Sequence, residues 1–184
     1  MPFLYVITGP AGAGKSTVSK KIAEASARSA LIEGDDLYGQ IVGGYVDPWK
    51  EGNYLDTFWR LSLSSIRVYL EDGFDVVFNY IISPQQLDMI KAEFKDTKIR
   101  FAVLMMDEKT VLERDSRRPE EYQMKERCIV LLNEFKEHHY KGDHILDTSD
   151  LTVEETVSRI MEDPRFVVED IDTACCGIPS GYLV

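Results

Sequence analysis

Phe3-Leu4-Tyr5-Val6-Ile7-Thr8-Gly9-Pro10-Ala11-Gly12-Ala13-Gly14-Lys15-Ser16-Thr17 is the stretch of this 184-residue chain from which the rest can be read. Its first part is an apolar run without alternation, the pattern of a strand covered on both faces. Its second part satisfies G-x-x-x-x-G-K-[ST], from Gly9 to Ser16. The glycines let the backbone wrap round a phosphate and turn successive N–H groups inward, with no Cβ in the way. A helix starting near Lys15 adds its positive end to the same anion site. Lys15 is placed to reach the β- and γ-phosphates of a nucleotide, and the Ser16 hydroxyl to ligate Mg²⁺. Gly9, Gly12, Ala13, Gly14, Lys15, Ser16 and Thr17 are therefore the predicted cofactor-binding residues, with ATP and Mg²⁺ as the cofactors. A chance match in a glycine-rich turn would lack the strand before the loop and the helix after it.

Outward from this loop, short strand-like runs alternate with longer helical stretches, which predicts an α/β protein with a parallel sheet. The strand candidates are Phe3–Thr8, Ala30–Glu33, Asp75–Tyr80, Ile99–Met106 and His144–Asp147. A helical stripe joins Leu55, Phe58, Trp59, Ser62, Ile66, Tyr69 and Leu70, and Gly73 stops it. Ser83, Pro84 and Gln86 supply a cap, a first-turn proline and a capping box for the next helix. Asp107 caps another, and Met124, Cys128, Leu131, Leu132 and Phe135 mark an amphipathic helix after Pro119. Thr152 and Glu155 form a capping box for the last, where Val153, Val157, Ile160 and Met161 face inward.

Leu31-Ile32-Glu33-Gly34-Asp35-Asp36-Leu37 ends the second strand and enters a loop. Ligands of open α/β sheets bind beyond the carboxyl ends of the strands, so an aspartate here can face the γ-phosphate. Phosphoryl transfer to an alcohol needs a carboxylate that orients the hydroxyl and takes its proton, and such a group can also hold metal-bound water. Asp35 and Asp36 both fit, and either also suits a cap for a short helix through Leu37. Further on, Arg114, Arg117 and Arg118 fall within five positions, with Arg114 and Arg118 on one helical face. Guanidinium groups spread phosphate charge and stack on purines. The alternative is a solvated helix end paired with Glu113, Asp115, Glu120 and Glu121.

The phosphate loop, Gly34-Asp35-x-Leu37 and the Arg114/Arg118 pair together resemble the nucleotide-kinase-like group of P-loop small-molecule kinases. That group includes gluconate, shikimate and adenylate kinases and the chloramphenicol phosphotransferases. The resemblance spans residues 3–163 in element order and implies a three-layer P-loop NTPase fold. Its five-stranded parallel sheet would have the order 2-3-1-4-5, with a short lid at about 115–127 and an acceptor pocket between the lid and the region after strand two. The pattern ends near Val167, which divides the chain into a kinase domain, 1–166, and a C-terminal tail, 167–184. The resemblance also implies catalytic roles for Lys15, Asp35 and Arg118. Arg114 and Arg118 would contact the nucleotide, and Ser16 and Asp35 would serve the metal, with Asp36 as the reserve base. Arg127 would add a further contact.

The acceptor is a small hydroxyl-bearing molecule on this reading. Tyr45, Asp47 and Trp49 lie in a loop rich in aromatic and polar residues and are acceptor-site candidates; Trp59 belongs to the core stripe. Gly34-Asp35-Asp36-Leu37-Tyr38 resembles the Gly-Asp-x-Leu-His of gluconate kinases, with Tyr38 in place of histidine, and the lid lacks their His-Phe-Met-Pro. A sugar acid such as gluconate is the first acceptor this suggests. An antibiotic-type phosphotransferase and a regulatory NTPase without a small-molecule acceptor are the alternatives. Asn79 stands near the place where many P-loop enzymes carry an aspartate that holds metal-bound water. Asp147-Thr148-Ser149 follows the fifth strand, where similar kinases pass their backbone beside adenine.

Thirty-two acidic against 21 basic residues give a net charge of -11, which disfavours nucleic acid as a partner. No apolar run approaches the ~20 residues of a membrane span, and the N-terminus has no basic region or cleavage site of a secretory leader. Cys128, Cys175 and Cys176 show no disulfide or metal spacing, and His138, His139 and His144 show none that recruits them. A cytoplasmic monomer or homodimer fits this composition.

Overall fold

The structure, a computed structural model, describes residues 1–117, 119–120, 123–137 and 140–168. Five strands, β1 (Phe3–Thr8), β2 (Ser29–Glu33), β3 (Asp75–Asn79), β4 (Lys98–Met105) and β5 (Ile145–Asp147), form one sheet. Its order is β2-β3-β1-β4-β5, and every pairing is parallel. This is the predicted topology, and it places the strand that feeds the phosphate loop at the centre.

Because side chains alternate across a strand, β1 feeds two separate apolar layers. Leu4 and Val6 join Phe58, Ile66, Phe78 and Phe101 on one face. Tyr5 and Ile7 join Ile22, Val77, Leu104, Leu132 and Ile160 on the other. Phe58, Phe78 and Phe101 are fully buried, and truncating any of them to alanine should cost about 3–5 kcal/mol.

Among the described residues seven α-helices flank the sheet: α1 (Lys15–Ala25), α2 (Gly34–Tyr38), α3 (Leu55–Glu71), α4 (Pro84–Glu93), α5 (Glu108–Ser116), α6 (Arg127–Glu137) and α7 (Val153–Glu162). Their ends follow local chemistry. Ser83 accepts from the Gln86 N–H while the Gln86 side chain accepts from the Ser83 N–H, and Thr152 and Glu155 do the same for α7. The Asp107 carboxylate accepts from the Thr110 N–H at the start of α5. Gly73, just past α3, has φ 79°, the left-handed conformation that ends a helix at least cost in a glycine.

Three local expectations are corrected. Asp35 and Asp36 are first-turn residues of α2, and the cap position is Glu33, whose side chain makes no capping bond. His144 lies in a 3-10 turn, Gly142–His144, just before β5. Met124 precedes α6, which starts at Arg127 and buries Cys128, Leu132 and Phe135.

His144 packs edge-on against Phe101 and is buried. Burial, helped by the charge of Lys141, pushes its imidazole below the usual value, which favours the neutral form in the core. Among the described residues no cluster of metal-binding side chains forms, and no helix is long and apolar enough to cross a membrane. His138, His139, Cys175 and Cys176 lie outside the described residues.

Candidate nucleotide and acceptor site

The phosphate loop occupies the connection from β1 to α1, at the carboxyl edge of the central strand. Two of its glycines are required by geometry. A Cβ on Gly9 would sit 2.4 Å from the Leu104 carbonyl oxygen, and Gly14 takes φ 84° as the residue before the first turn of α1. That first turn carries no acidic side chain, so the helix's positive end is left for an anion. The Lys15 ammonium donates to the carbonyls of Gly9 and Pro10, at 2.9 and 3.2 Å, which lays it across the loop.

A cavity of about 870 Å³ opens over residues 11–18, within the usual range for small-molecule and cofactor sites. On one side it is walled by Asp35, Trp49 and Ile81, and on another by Arg114, Met124, Thr148 and Leu151. The structure thus brings together the predicted Gly12, Ala13, Gly14, Lys15, Ser16, Thr17, Asp35 and Arg114. Gly9 closes the loop beneath them.

The residue that sequence reasoning missed is Glu33. Its carboxylate accepts from the Ser16 hydroxyl at 3.1 Å and from the Asn79 side-chain amide. The register explains the trio: Glu33 lies directly opposite Asn79 in the parallel ladder, and Asn79 opposite Ile7 of β1. Asn79 is buried and holds the Glu33 carboxylate toward Ser16. A hydroxyl and a carboxylate at hydrogen-bond distance are an all-oxygen donor set, which suits a hard cation such as Mg²⁺. The position of Glu33 was a usable signal, since it ends a strand one residue before the Gly34-Asp35 segment.

Asp35 and Asp36 separate clearly. Only Asp35 is among the residues that wall the cavity. Its charge reaches Tyr80, whose hydroxyl is pushed up to about 12 by burial first and by Asp35 second. Gly34 before it is fixed by packing, because a Cβ there would lie 2.5 Å from the Tyr80 ring.

Arg114 is tied to the connection after β5. It donates to the Thr148 carbonyl at 2.7 Å and to the Thr148 hydroxyl at 3.1 Å. The start of the predicted lid is pinned by Asp115, a buried carboxylate that accepts from the N–H groups of Met124 and Lys125. Arg117 points to solvent and pairs with Glu113 one turn back, as the solvated-helix alternative expected for it. Arg118 lies outside the described residues. Arg127 stands over the Trp49 ring, 5.6 Å from its centroid.

Of the three loop candidates only Trp49 walls the cavity. Asp47 pairs with Lys50, and Tyr45 packs edge-on against Tyr38. Tyr38 itself is buried, and its hydroxyl donates to the Val46 carbonyl at 2.6 Å.

A complete phosphate loop at the head of a 2-3-1-4-5 parallel sheet defines the P-loop kinase fold. Residues 4–134 match the family described as AAA domain, and the chain belongs to that family. No curated protein matches the sequence significantly.

Several solved structures share the fold. The tunicamycin resistance protein of Deinococcus radiodurans is 19% identical, with 87% of this chain and 94% of that one covered and a TM-score of 0.64. A gluconokinase from Sinorhizobium meliloti 1021 is 22% identical, covering 86% of this chain and 89% of that one, with a TM-score of 0.60. A sugar kinase from Janibacter sp. HTCC2649 is 14% identical, covering 88% and 93%, with a TM-score of 0.61.

Proposed function

We propose that the protein is an ATP-dependent kinase that transfers the γ-phosphate to a hydroxyl of a small molecule. One observation carries this reading: a single cavity joins the complete phosphate loop to the Asp35 carboxylate. In the reaction the acceptor oxygen forms a bond to the γ-phosphorus, the bond from that phosphorus to the β–γ bridging oxygen breaks, and ADP leaves. Asp35 orients the acceptor hydroxyl and takes its proton, the role a positioned carboxylate fills in this chemistry. Lys15 and the backbone N–H groups of the loop stabilise the charge on the phosphates. Ser16 would hold Mg²⁺, with Glu33 fixing the Ser16 hydroxyl; bound there, the ion would neutralise phosphate charge. Asp35, as first read from the sequence, would add a contact to metal-bound water.

Arg114 and Arg118 are proposed to meet the nucleotide when the lid, about 115–127, closes. A sugar acid remains a candidate acceptor, although buried Tyr38 brings no polar group to the cavity where the gluconate-kinase pattern has histidine. ATP and Mg²⁺ as cofactors, a cytoplasmic setting and a monomer or homodimer without nucleic acid complete the reading. Its test is product mass after incubation with ATP·Mg²⁺ and a panel of hydroxyl compounds. A product heavier by one phosphate is expected from at least one of them. Absence of binding at millimolar ATP, by calorimetry and thermal shift, would sink the reading.

A further inference from the structure

We propose that the acceptor carries a neutral aromatic ring, which packs on Trp49 and Ile81 while its hydroxyl faces Asp35. This rests on the kinase reading above and names the class of its substrate. The sheet order separates the two ends of the cavity. β2 and β3 lie on one side of β1, and β4 and β5 on the other. Arg114, Thr148 and Leu151 follow β4 and β5, so the nucleotide base belongs there. Asp35, Trp49 and Ile81 follow β2 and β3, so the acceptor belongs with them, and the phosphates lie between over the loop.

Among the described residues the acceptor side presents the Asp35 carboxylate and the apolar surfaces of Trp49 and Ile81. Trp49 is 69% exposed and Ile81 46% exposed, an apolar area facing the cavity that gains by being covered. The loop that carries the indole is braced. The Lys50 N–H and ammonium bind Asp47, the Asn53 amide binds the Lys50 carbonyl, and Tyr38 grips the Val46 carbonyl. Arg127 stands over the ring, a cation–π contact that leaves most of the indole open. A ring carried on a braced loop stacks a planar ligand at reduced ordering cost.

A polyhydroxylated acid suits this side poorly. Two polar groups of this side are already engaged: Asp47 with Lys50, and the Tyr38 hydroxyl with Val46. Among the described cations of the cavity, Lys15 lies across the phosphate loop, Arg114 holds Thr148, and Arg127 stands on the indole. Asp35 repels a carboxylate. A nucleoside or aryl alcohol satisfies the same surface, with its ring on Trp49 and one hydroxyl at Asp35. The new bond joins that hydroxyl's oxygen to the γ-phosphorus of ATP, the proton passes to Asp35, and ADP departs.

The test uses the full chain, ATP·Mg²⁺ and matched acceptors with and without a ring: uridine against ribose, and 1-phenyl-1,2-ethanediol against 1,2-propanediol, with gluconate alongside. We expect kcat/KM at least about tenfold higher for a ring-bearing member, the scale of one base–aromatic stack. Trp49→Ala should raise its KM by about the same factor with kcat and ATP affinity nearly unchanged, and Trp49→Phe should restore it. Ring compounds should also quench Trp49 emission in a Trp59→Phe background, where Trp49 is the only indole. Preferred transfer to gluconate or to the ringless partners, or an unchanged KM in Trp49→Ala, overturns the aromatic acceptor and leaves the kinase standing. Quenching without transfer to any compound overturns the kinase reading instead. Neither quenching nor transfer, with ATP bound, overturns both.

Discussion

Gly9, at the base of the phosphate loop, and Trp49, on the cavity wall, are held by opposite means. Gly9 is defined by what cannot be added to it, since a Cβ would meet the Leu104 carbonyl at 2.4 Å. Trp49 is defined by what it exposes, a broad apolar surface on a loop braced by Asp47, Lys50 and Asn53. On the proposed reading the phosphate side would recognise its ligand through backbone N–H groups and Lys15, whatever the acceptor. The proposed acceptor side would recognise through side chains, which makes its chemistry particular to this chain. Mutations should therefore act differently on the two sides.

Asp35→Asn should have the largest effect, a fall in kcat of about 10²–10⁴-fold, the range of positioned general-base catalysis. ATP affinity should stay close to wild type because the loop is untouched. Asp36→Asn, whose side chain is not part of the cavity wall, should change kcat little. Steady-state kinetics with the true acceptor checks both, and the reverse ranking would move the base to Asp36.

Lys15→Ala comes next, with a loss of about 10²–10³-fold in kcat, comparable to removing a preorganised group from a developing charge. Here ATP binding should weaken as well, which calorimetry reads directly. The contrast with Asp35→Asn separates the two sides. One variant loses binding and turnover together, the other turnover alone.

Glu33→Gln probes the boundary between them. Outer-shell partners of a metal site are worth about 10–100-fold in metal affinity. The Mg²⁺ concentration giving half-maximal nucleotide binding should rise by that factor, measured by titration without any acceptor. An unchanged midpoint would leave Glu33 as a strand-end partner of Asn79 only.

The same contrast explains what could be read before the structure. The loop was legible because Phe3–Thr17 obeys a steric rule, with Gly9 and Gly14 placed where a Cβ or a negative φ fails, whereas the strand order came from the family resemblance. Capping boxes at Ser83 and Thr152 were legible as local hydrogen bonds between residues three apart. The place of Glu33 at a strand end was a signal, but its partners were not legible, because Ser16 and Asn79 are 17 and 46 residues away and only the fold brings them to it. The ranking of Asp35 over Asp36 rested on a resemblance, and the one-residue rotation of α2 supplies the physical ground. Tyr45, Asp47 and Trp49 share one loop and one composition, yet only Trp49 reaches the cavity, since the other two are claimed by Tyr38 and Lys50. Side-chain direction within an irregular loop has no periodicity to reveal it.

The smallest expected effects come from the arginines, and they test whether the nucleotide side ends at Arg114. Arg114 spans from α5 to the connection after β5 and donates to both the carbonyl and the hydroxyl of Thr148. Hydrogen bonds from a charged donor are worth about 1.5–3 kcal/mol when partly buried. Arg114→Ala should lower unfolding stability by about that amount and raise the KM for ATP, because Thr148 walls the same cavity. Arg117, three residues on, is exposed and pairs with Glu113 within one helical turn. Exposed i,i+4 pairs contribute only about 0.3–0.5 kcal/mol, so Arg117→Ala should leave denaturant midpoint and KM almost unchanged. Hydrogen exchange over 114–127 sharpens the comparison: ATP with acceptor should protect that segment in wild type and in Arg117→Ala, and protect it less in Arg114→Ala. Equal behaviour of the two variants would make Arg114 a structural tie to Thr148 and place the edge of nucleotide recognition at the phosphate loop itself.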